Sequence, residues 1–253
     1  MKIRIAVAFV VVAVTGLIYR GRGENGGQAL VWKPAYLVES GEGASPTRSL
    51  VLLKTDPKRS TLERIINESV VCVTARVGDQ KRIAAGFVIE VDRRREVAQI
   101  ATAQHVVIES EQITIVFANE ETKPGKLIAT DAKNDLALIE VSAGKLKALT
   151  IAPTFGPYDN FKVIGAGRGI FPFVLPRGAS GLIKTDDGPD DHLFFFGCCI
   201  EGMSGGPVLN EREQVVAMTQ KSMMDKVNPW SFNGLACRLF SQEMLKSLQE
   251  RRN

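Results

Sequence analysis

Gly202-Met203-Ser204-Gly205-Gly206-Pro207 runs straight into the apolar pair Val208-Leu209. A serine inside a glycine-rich turn at the mouth of a β-like segment is a candidate nucleophile. Its hydroxyl is weak at neutral pH and needs a base, and the base needs an orienting partner. The chain has only two histidines, so the choice of base is narrow. His105 lies upstream in Ala101-Thr102-Ala103-Gln104-His105-Val106-Val107, and Asn134-Asp135-Leu136-Ala137-Leu138 follows it. Base, carboxylate and alcohol thus occur in the chain order His, Asp, Ser, which is the composition of a hydrolytic triad. Each carrier alone reads as an ordinary turn residue; the three together, in agreeing contexts, do not.

The surroundings are β. Glu68 to Val77 alternates, Arg82–Val91 and Glu96–Ala101 form a hairpin around Arg93-Arg94-Arg95, and Gln112–Phe117, Lys126–Thr130 and Leu136–Val141 add further strands. Lys145 to Asp159, with Pro153 and Pro157, reads as a connection. A second set follows at Phe161–Ala166, Gly178–Lys184, Leu193–Gly197, Gly206–Leu209, Gln214–Gln220 and Phe232–Leu239. Ser241 to Arg251 is helix-like, with Met244, Leu245 and Leu248 on one stripe. Ser60-Thr61-Leu62-Glu63 has the form of a capping box that opens a short helix. The fold class expected is all-β: two six-stranded antiparallel barrels, over about 65–142 and 158–240, with a C-terminal helix and an N-terminal hydrophobic leader.

The leader is the run Ile5–Tyr19, preceded by Lys2 and Arg4 and closed by Arg20 and Arg22. Fifteen residues fall short of the roughly 20 that span a bilayer and suit the apolar region of an export signal. No small-x-small cleavage site stands out; Val14 and Gly16 are a poor substitute. Residues 1–22 are read as a signal anchor or a cleaved signal peptide, 23–60 as a Gly- and Pro-rich linker, and 61–253 as the folded domain. Either form of signal places the domain outside the cytoplasm, periplasmic or secreted.

Composition closes other routes. The net charge of +4 carries no long basic run, and the arginine triple is flanked by Asp92 and Glu96, so no nucleic-acid partner is expected. Gly165-Ala166-Gly167-Arg168-Gly169 lacks the spacing of a dinucleotide turn. His192, after Asp186-Asp187-Gly188-Pro189-Asp190-Asp191, reads as a surface histidine on an acidic loop rather than a metal ligand. No cofactor and no metal are expected. Adjacent Cys198 and Cys199 read as buried or pocket-lining thiols. Cys72 and Cys237 are a candidate disulfide in an oxidising compartment, which the sequence leaves open.

The three blocks resemble those of trypsin-like serine proteases, nearest to the bacterial HtrA/Deg branch. Ala85-Gly86-Phe87-Val88-Ile89, Asp131-Ala132-Lys133-Asn134-Asp135, Val163-Ile164-Gly165 and Ala179-Ser180-Gly181-Leu182-Ile183 are similar to other segments of that branch, over residues 65 to 245 in all. The resemblance implies a serine endopeptidase acting on peptides or unfolded proteins. It makes His105 the general base, Asp135 its orienting partner, Ser204 the nucleophile, and the amides of Gly202 and Ser204 the oxyanion hole. Cys198 would lie at the base of the substrate pocket with Cys199 and Glu201 nearby, favouring a small or medium apolar side chain.

Met203 departs from the pattern, standing where the branch has Asn and the digestive enzymes have Asp. Methionine cannot pair with a new N-terminal ammonium, so activation of the zymogen kind is not expected, and the oxyanion loop is expected to be less firmly held. With the chain ending soon after the protease region, no PDZ domain is expected. The rival reading is a catalytically weak or inactive peptide-binding module on the same fold, with Met203 marking a decayed loop.

Overall fold

The computed structural model describes residues 57–153, 161–177, 182–183, 192–196, 200–224 and 233–250. The leader and nearly all of the linker lie outside the described residues, as do Cys198, Cys199 and the acidic stretch before His192. Among the described residues no helix is long and apolar enough to cross a membrane.

Helix α1 (Pro57–Ser69) precedes the first strands. It starts three residues before the expected Ser60, at a proline whose missing N–H costs nothing in a first turn. The first half is a closed barrel in the order β1-β2-β3-β6-β5-β4. Its strands are β1 (Val70–Val77), β2 (Gln80–Asp92), β3 (Val97–Ala103), β4 (Gln112–Val116), β5 (Thr122–Asp131) and β6 (Leu136–Ser142). Residues 70–75 of β1 are all buried, because one side of the strand fills the barrel and the other is covered from outside. Register shifts between Val88 and Glu90, and between Leu127 and Ala129, bend β2 and β5 enough for closure. At Gly125 a Cβ would come within 2.7 Å of Ile139 Cγ2, so the interior tolerates no side chain there. The Arg93–Arg95 turn caps the β2–β3 hairpin as expected, with Asp92 Oδ1 accepting from the Arg94 and Arg95 amides.

The second half corrects the expectation of another closed barrel. It is a seven-stranded sheet in the order β8-β7-β11-β12-β13-β10-β9, and among the described residues its ends do not meet. The strands are β7 (Phe161–Gly165), β8 (Phe173–Arg177), β9 (Leu182–Ile183), β10 (His192–Phe196), β11 (Pro207–Leu209), β12 (Val215–Met224) and β13 (Asn233–Leu239). Closure would need β8 to pair with β9, and among the described residues no such ladder is present. Strand β8, which alternation does not announce, precedes the run expected at Gly178–Lys184; β9 lies within that run, and the rest of it is outside the described residues.

Helix α3 (Gln242–Gln249) is capped by Ser241, whose Oγ accepts from the Met244 amide at 3.2 Å. It buries Leu245 and Leu248 in the first half's core, while Met244 is half-buried. Phe87 meets Phe240 edge-on at 5.3 Å, which ties the chain's end back to the barrel. The larger apolar cluster extends through Ile164, Ala166, Leu209, Val215 and Met218 of the second half. A smaller one gathers Phe161, Val163, Leu193, Phe195, Met203, Val208, Ala217 and Cys237. Cys72 belongs to the first cluster and Cys237 to the second, and the candidate disulfide between them is not formed.

Candidate active site

The antiparallel β3–β6 ladder ends at the pair Ala103–Leu136. The residues just beyond that pair, Gln104-His105 on one strand and Asp135 on the other, therefore emerge side by side at one end of the barrel. His105 lies in the single helical turn α2 (Gln104–Val107) that follows β3. The Gln104 amide donates to the Asp135 carbonyl at 3.1 Å. The Asp135 carboxylate takes both polar groups of the histidine: the backbone N–H on Oδ1 at 2.9 Å and ring Nδ1 on Oδ2 at 2.8 Å. With Asp135 as acceptor, Nδ1 carries the proton, which leaves Nε2 as the free basic nitrogen of a neutral ring. The side chains are 48% and 28% exposed, so the pair opens on solvent and can be reached by a substrate. Arg82, which the sequence does not single out, braces α2 by donating to the His105 carbonyl at 2.9 Å.

Asp135 has φ +48°, a left-handed backbone that costs an L-residue energy and must be held by its neighbours. Asp131 supplies part of the hold. Its Oδ1 accepts from the amides of Lys133 and Asn134, and its Oδ2 accepts from Asn134 Nδ2 at 2.6 Å. This is an Asx-type turn that winds residues 131–135 tightly.

Ser204 comes from the other half, in the loop before β11. Its carbonyl accepts from the Ala85 amide of β2 at 2.8 Å, while the Ala85 carbonyl accepts from Thr102 Oγ1, three residues before His105, at 2.7 Å. Gly205 (φ +77°) makes this approach possible, since a Cβ there would strike the Ala85 carbonyl and Thr102 Oγ1. The expected trio is thus drawn into one neighbourhood. The Ser204 hydroxyl, however, donates to the Gln220 carbonyl at 2.9 Å, and among the described residues it has no hydrogen bond to His105.

The loop before the serine is not loose. Met203 is fully buried in the second cluster, against Gly165. The Gly202 carbonyl accepts from Ala166 N at 3.1 Å, the Glu201 carbonyl accepts from Arg168 N at 2.7 Å, and Gly206 N donates to the Met203 carbonyl at 3.1 Å. Gly202 has φ +87°, and a Cβ there would fall on the Ala166 carbonyl. The amides of Gly202 and Ser204 have no protein acceptor among the described residues. The expectation of a weakly held loop is corrected: apolar packing and backbone bonds hold it where an ionic or amide side chain was anticipated. The Glu201 side chain is exposed.

His192 also departs from expectation. It is buried, 3% exposed, and its Nε2 lies 2.8 Å from Gln220 Oε1. No group of three or more His, Cys, Asp or Glu that could hold a metal ion occurs among the described residues.

Comparison with known proteins agrees with this architecture. Over 166 residues the chain is 24% identical to a serine protease Do-like HtrA of Lactobacillus helveticus, covering 60% of this chain and 39% of that protein. Over 152 residues it is 24% identical to a probable periplasmic serine endoprotease DegP-like of Pseudomonas fluorescens, covering 57% and 31%. The chain therefore spans well under half the length of these relatives. The crystal structure of a serine endoprotease from Yersinia pestis superposes with a TM-score of 0.59 at 20% identity, covering 79% of this chain and 67% of that one, which supports the fold. The family model for the trypsin-like peptidase domain matches residues 84–218, more than half of the chain and including every member of the His105–Asp135–Ser204 set. The chain belongs to the trypsin-like peptidase domain family.

Proposed function

We propose that this protein is a serine endopeptidase that hydrolyses peptide bonds in peptides or unfolded proteins through an acyl-enzyme. The observation that carries the proposal is the double grip of Asp135 on His105, at 2.8 and 2.9 Å, beside a serine loop whose Gly202 and Ser204 amides have no acceptor among the described residues. Asp135 fixes the ring so that Nε2 is the base. On substrate binding the Ser204 hydroxyl turns from the Gln220 carbonyl to Nε2, gives up its proton there and attacks the scissile carbonyl. The amides of Gly202 and Ser204 receive the oxyanion; each such donor is worth about 3–4 kcal/mol in the barrier. The imidazolium then protonates the leaving amine, and water, activated by the same nitrogen, releases the acyl group from Ser204.

The pocket is proposed to involve Cys198, Cys199 and Glu201, with a preference for small or medium apolar side chains. The site of action is proposed to be extracytoplasmic, periplasmic or secreted, with 1–22 as signal or membrane anchor, 23–60 as linker and 61–253 as the protease domain. The Pseudomonas fluorescens relative, a probable periplasmic endoprotease, and the apolar run Ile5–Tyr19 support that location.

The turned-away Ser204 hydroxyl favours the rival reading, an inactive peptide-binding module. A fluorophosphonate separates the two. The enzyme is labelled covalently at Ser204, loses labelling in Ser204→Ala, and loses nearly all turnover in His105→Ala with the fold intact. A well-folded wild-type protein that takes no label is the module.

A further inference from the structure

Gln220 touches both halves of the candidate site. Its backbone carbonyl receives the Ser204 hydroxyl at 2.9 Å. Its side chain, on a residue 5% exposed, points the other way: Nε2 donates to the Asn134 carbonyl at 2.7 Å, and Oε1 faces His192 Nε2 at 2.8 Å. These contacts fix the hydrogens. A carbonyl can only accept, so the amide nitrogen of Gln220 must lie toward Asn134 and its oxygen toward His192. An oxygen there can only accept, so His192 carries a proton on Nε2. Reversing the amide would set Gln220 Oε1 against the Asn134 carbonyl and leave a buried repulsion.

The carbonyl so held belongs to the peptide unit that leads into Asp135. The other end of that unit, the Asp135 amide, points at the Ala132 carbonyl over a long 3.4 Å. That weak contact is poor support for a residue at φ +48°, so the short bond from Gln220 is the stronger anchor. Rotating this peptide plane would swing the carboxylate that grips His105.

We propose that His192 and Gln220 form a buried clamp that positions Asp135, and through it the His105 base; both are positioning residues and neither touches substrate. The clamp links two strands and a loop: His192 opens β10, Gln220 lies in β12, and Asn134 sits in the loop before β6. It crosses between the two halves, so the carboxylate of the first is aimed by the core of the second. This inference rests on the triad reading above.

The test compares His192→Gln with His192→Asn. A glutamine places an amide nitrogen as far out as Nε2 and can still donate to Gln220; an asparagine is too short. Both substitutions are polar and alter the buried volume modestly, and thermal unfolding checks that each variant folds. Gln220→Met, of similar length with no donor, attacks the clamp from its other member. The first readout is the low-field proton resonance of the His105–Asp135 hydrogen bond, assigned by its loss in His105→Ala and recorded without any substrate. The second is the rate of fluorophosphonate labelling.

The clamp requires that His192→Asn and Gln220→Met shift or broaden that resonance and slow labelling by about tenfold to a hundredfold, the cost of misplacing a reacting group. His192→Gln must keep the resonance and hold labelling within about threefold of wild type. Folded His192→Asn and Gln220→Met proteins with an unchanged resonance overturn the clamp even if they label. Equal losses in His192→Gln and His192→Asn overturn it too, because they make the site one of shape alone. A wild type that shows the resonance but takes no label sinks the protease reading and leaves the clamp to be judged on the resonance.

Discussion

Replacing Met203 with asparagine, the residue its HtrA-like relatives are expected to carry, should damage this protein. The methionine is 0% exposed, and its Sδ and Cα lie 2.7 and 2.9 Å from where a Cβ on Gly165 would stand. Removing the thioether forfeits the burial of a large apolar side chain, about 1.5–3 kcal/mol. An amide in the same space brings donors and an acceptor with no provided partner, which costs about 1–3 kcal/mol more. The combined loss is about 3–5 kcal/mol, set against a usual domain stability of about 5–15 kcal/mol. For a chain of this size that corresponds to a Tm lower by about 10 °C. The oxyanion loop should loosen in step, since Met203 sits between Gly202 and Ser204. Urea unfolding followed by tryptophan fluorescence measures the first effect, and fluorophosphonate labelling of the folded fraction measures the second. A Met203→Asn protein that keeps its midpoint and labels faster than wild type would refute the packing argument and restore the loosely held loop expected from sequence.

Gly165→Ala tests the same contact from the other side: the new methyl meets Met203 Sδ at 2.7 Å, and overpacking of that kind costs about 1–3 kcal/mol in unfolding experiments. Cys72 should resist a thiol reagent such as DTNB in the native state and react once unfolded, because burial pushes its pKa from 9.0 up to about 12, with Lys81 opposing only weakly. The native state keeps this proton where the unfolded chain has lost it, so stability is untouched below pH 9 and falls between pH 9 and about 12. The slope is at most about 1.4 kcal/mol per pH unit, and Cys72→Ser removes it.

The triad blocks were legible because their chemistry restricts residue type: with two histidines in the chain, only His105 followed an apolar β segment and preceded a matching Asp and Ser. The first-barrel strands were legible because alternation is local. What was missed depends on partners distant in sequence. The aspartates before His192 suggested a surface residue, yet its burial is decided by Gln220, 28 residues away, and by β13, with which it pairs. Met203 looked like a defect because the loop was judged by the hydrogen bond a polar side chain would make. The cluster of Phe161, Val163, Phe195 and Val208 that receives it assembles from separate strands. The open second sheet was hidden for a similar reason. Counting strand-like runs gives a strand number, whereas closure depends on which edge strands pair, and among the described residues β8 and β9 do not.

The two halves do unequal work in setting the distance on which catalysis would depend. The first barrel supplies the frame of the His105–Asp135 pair, since the β3–β6 register and the Gln104–Asp135 backbone bond belong to one closed structure. Ser204 arrives from the second sheet, and two hydrogen bonds locate it and its surroundings against the barrel: Ala85 N–H to the Ser204 carbonyl and Gln220 Nε2–H to the Asn134 carbonyl. The first sets where the serine backbone stands, and the second sets where the carboxylate aims. A small rigid shift between the halves would therefore displace Ser204 and disturb the His105–Asp135 pair together. The hydroxyl fits that division of labour: it donates to the Gln220 carbonyl, on the sheet's own side.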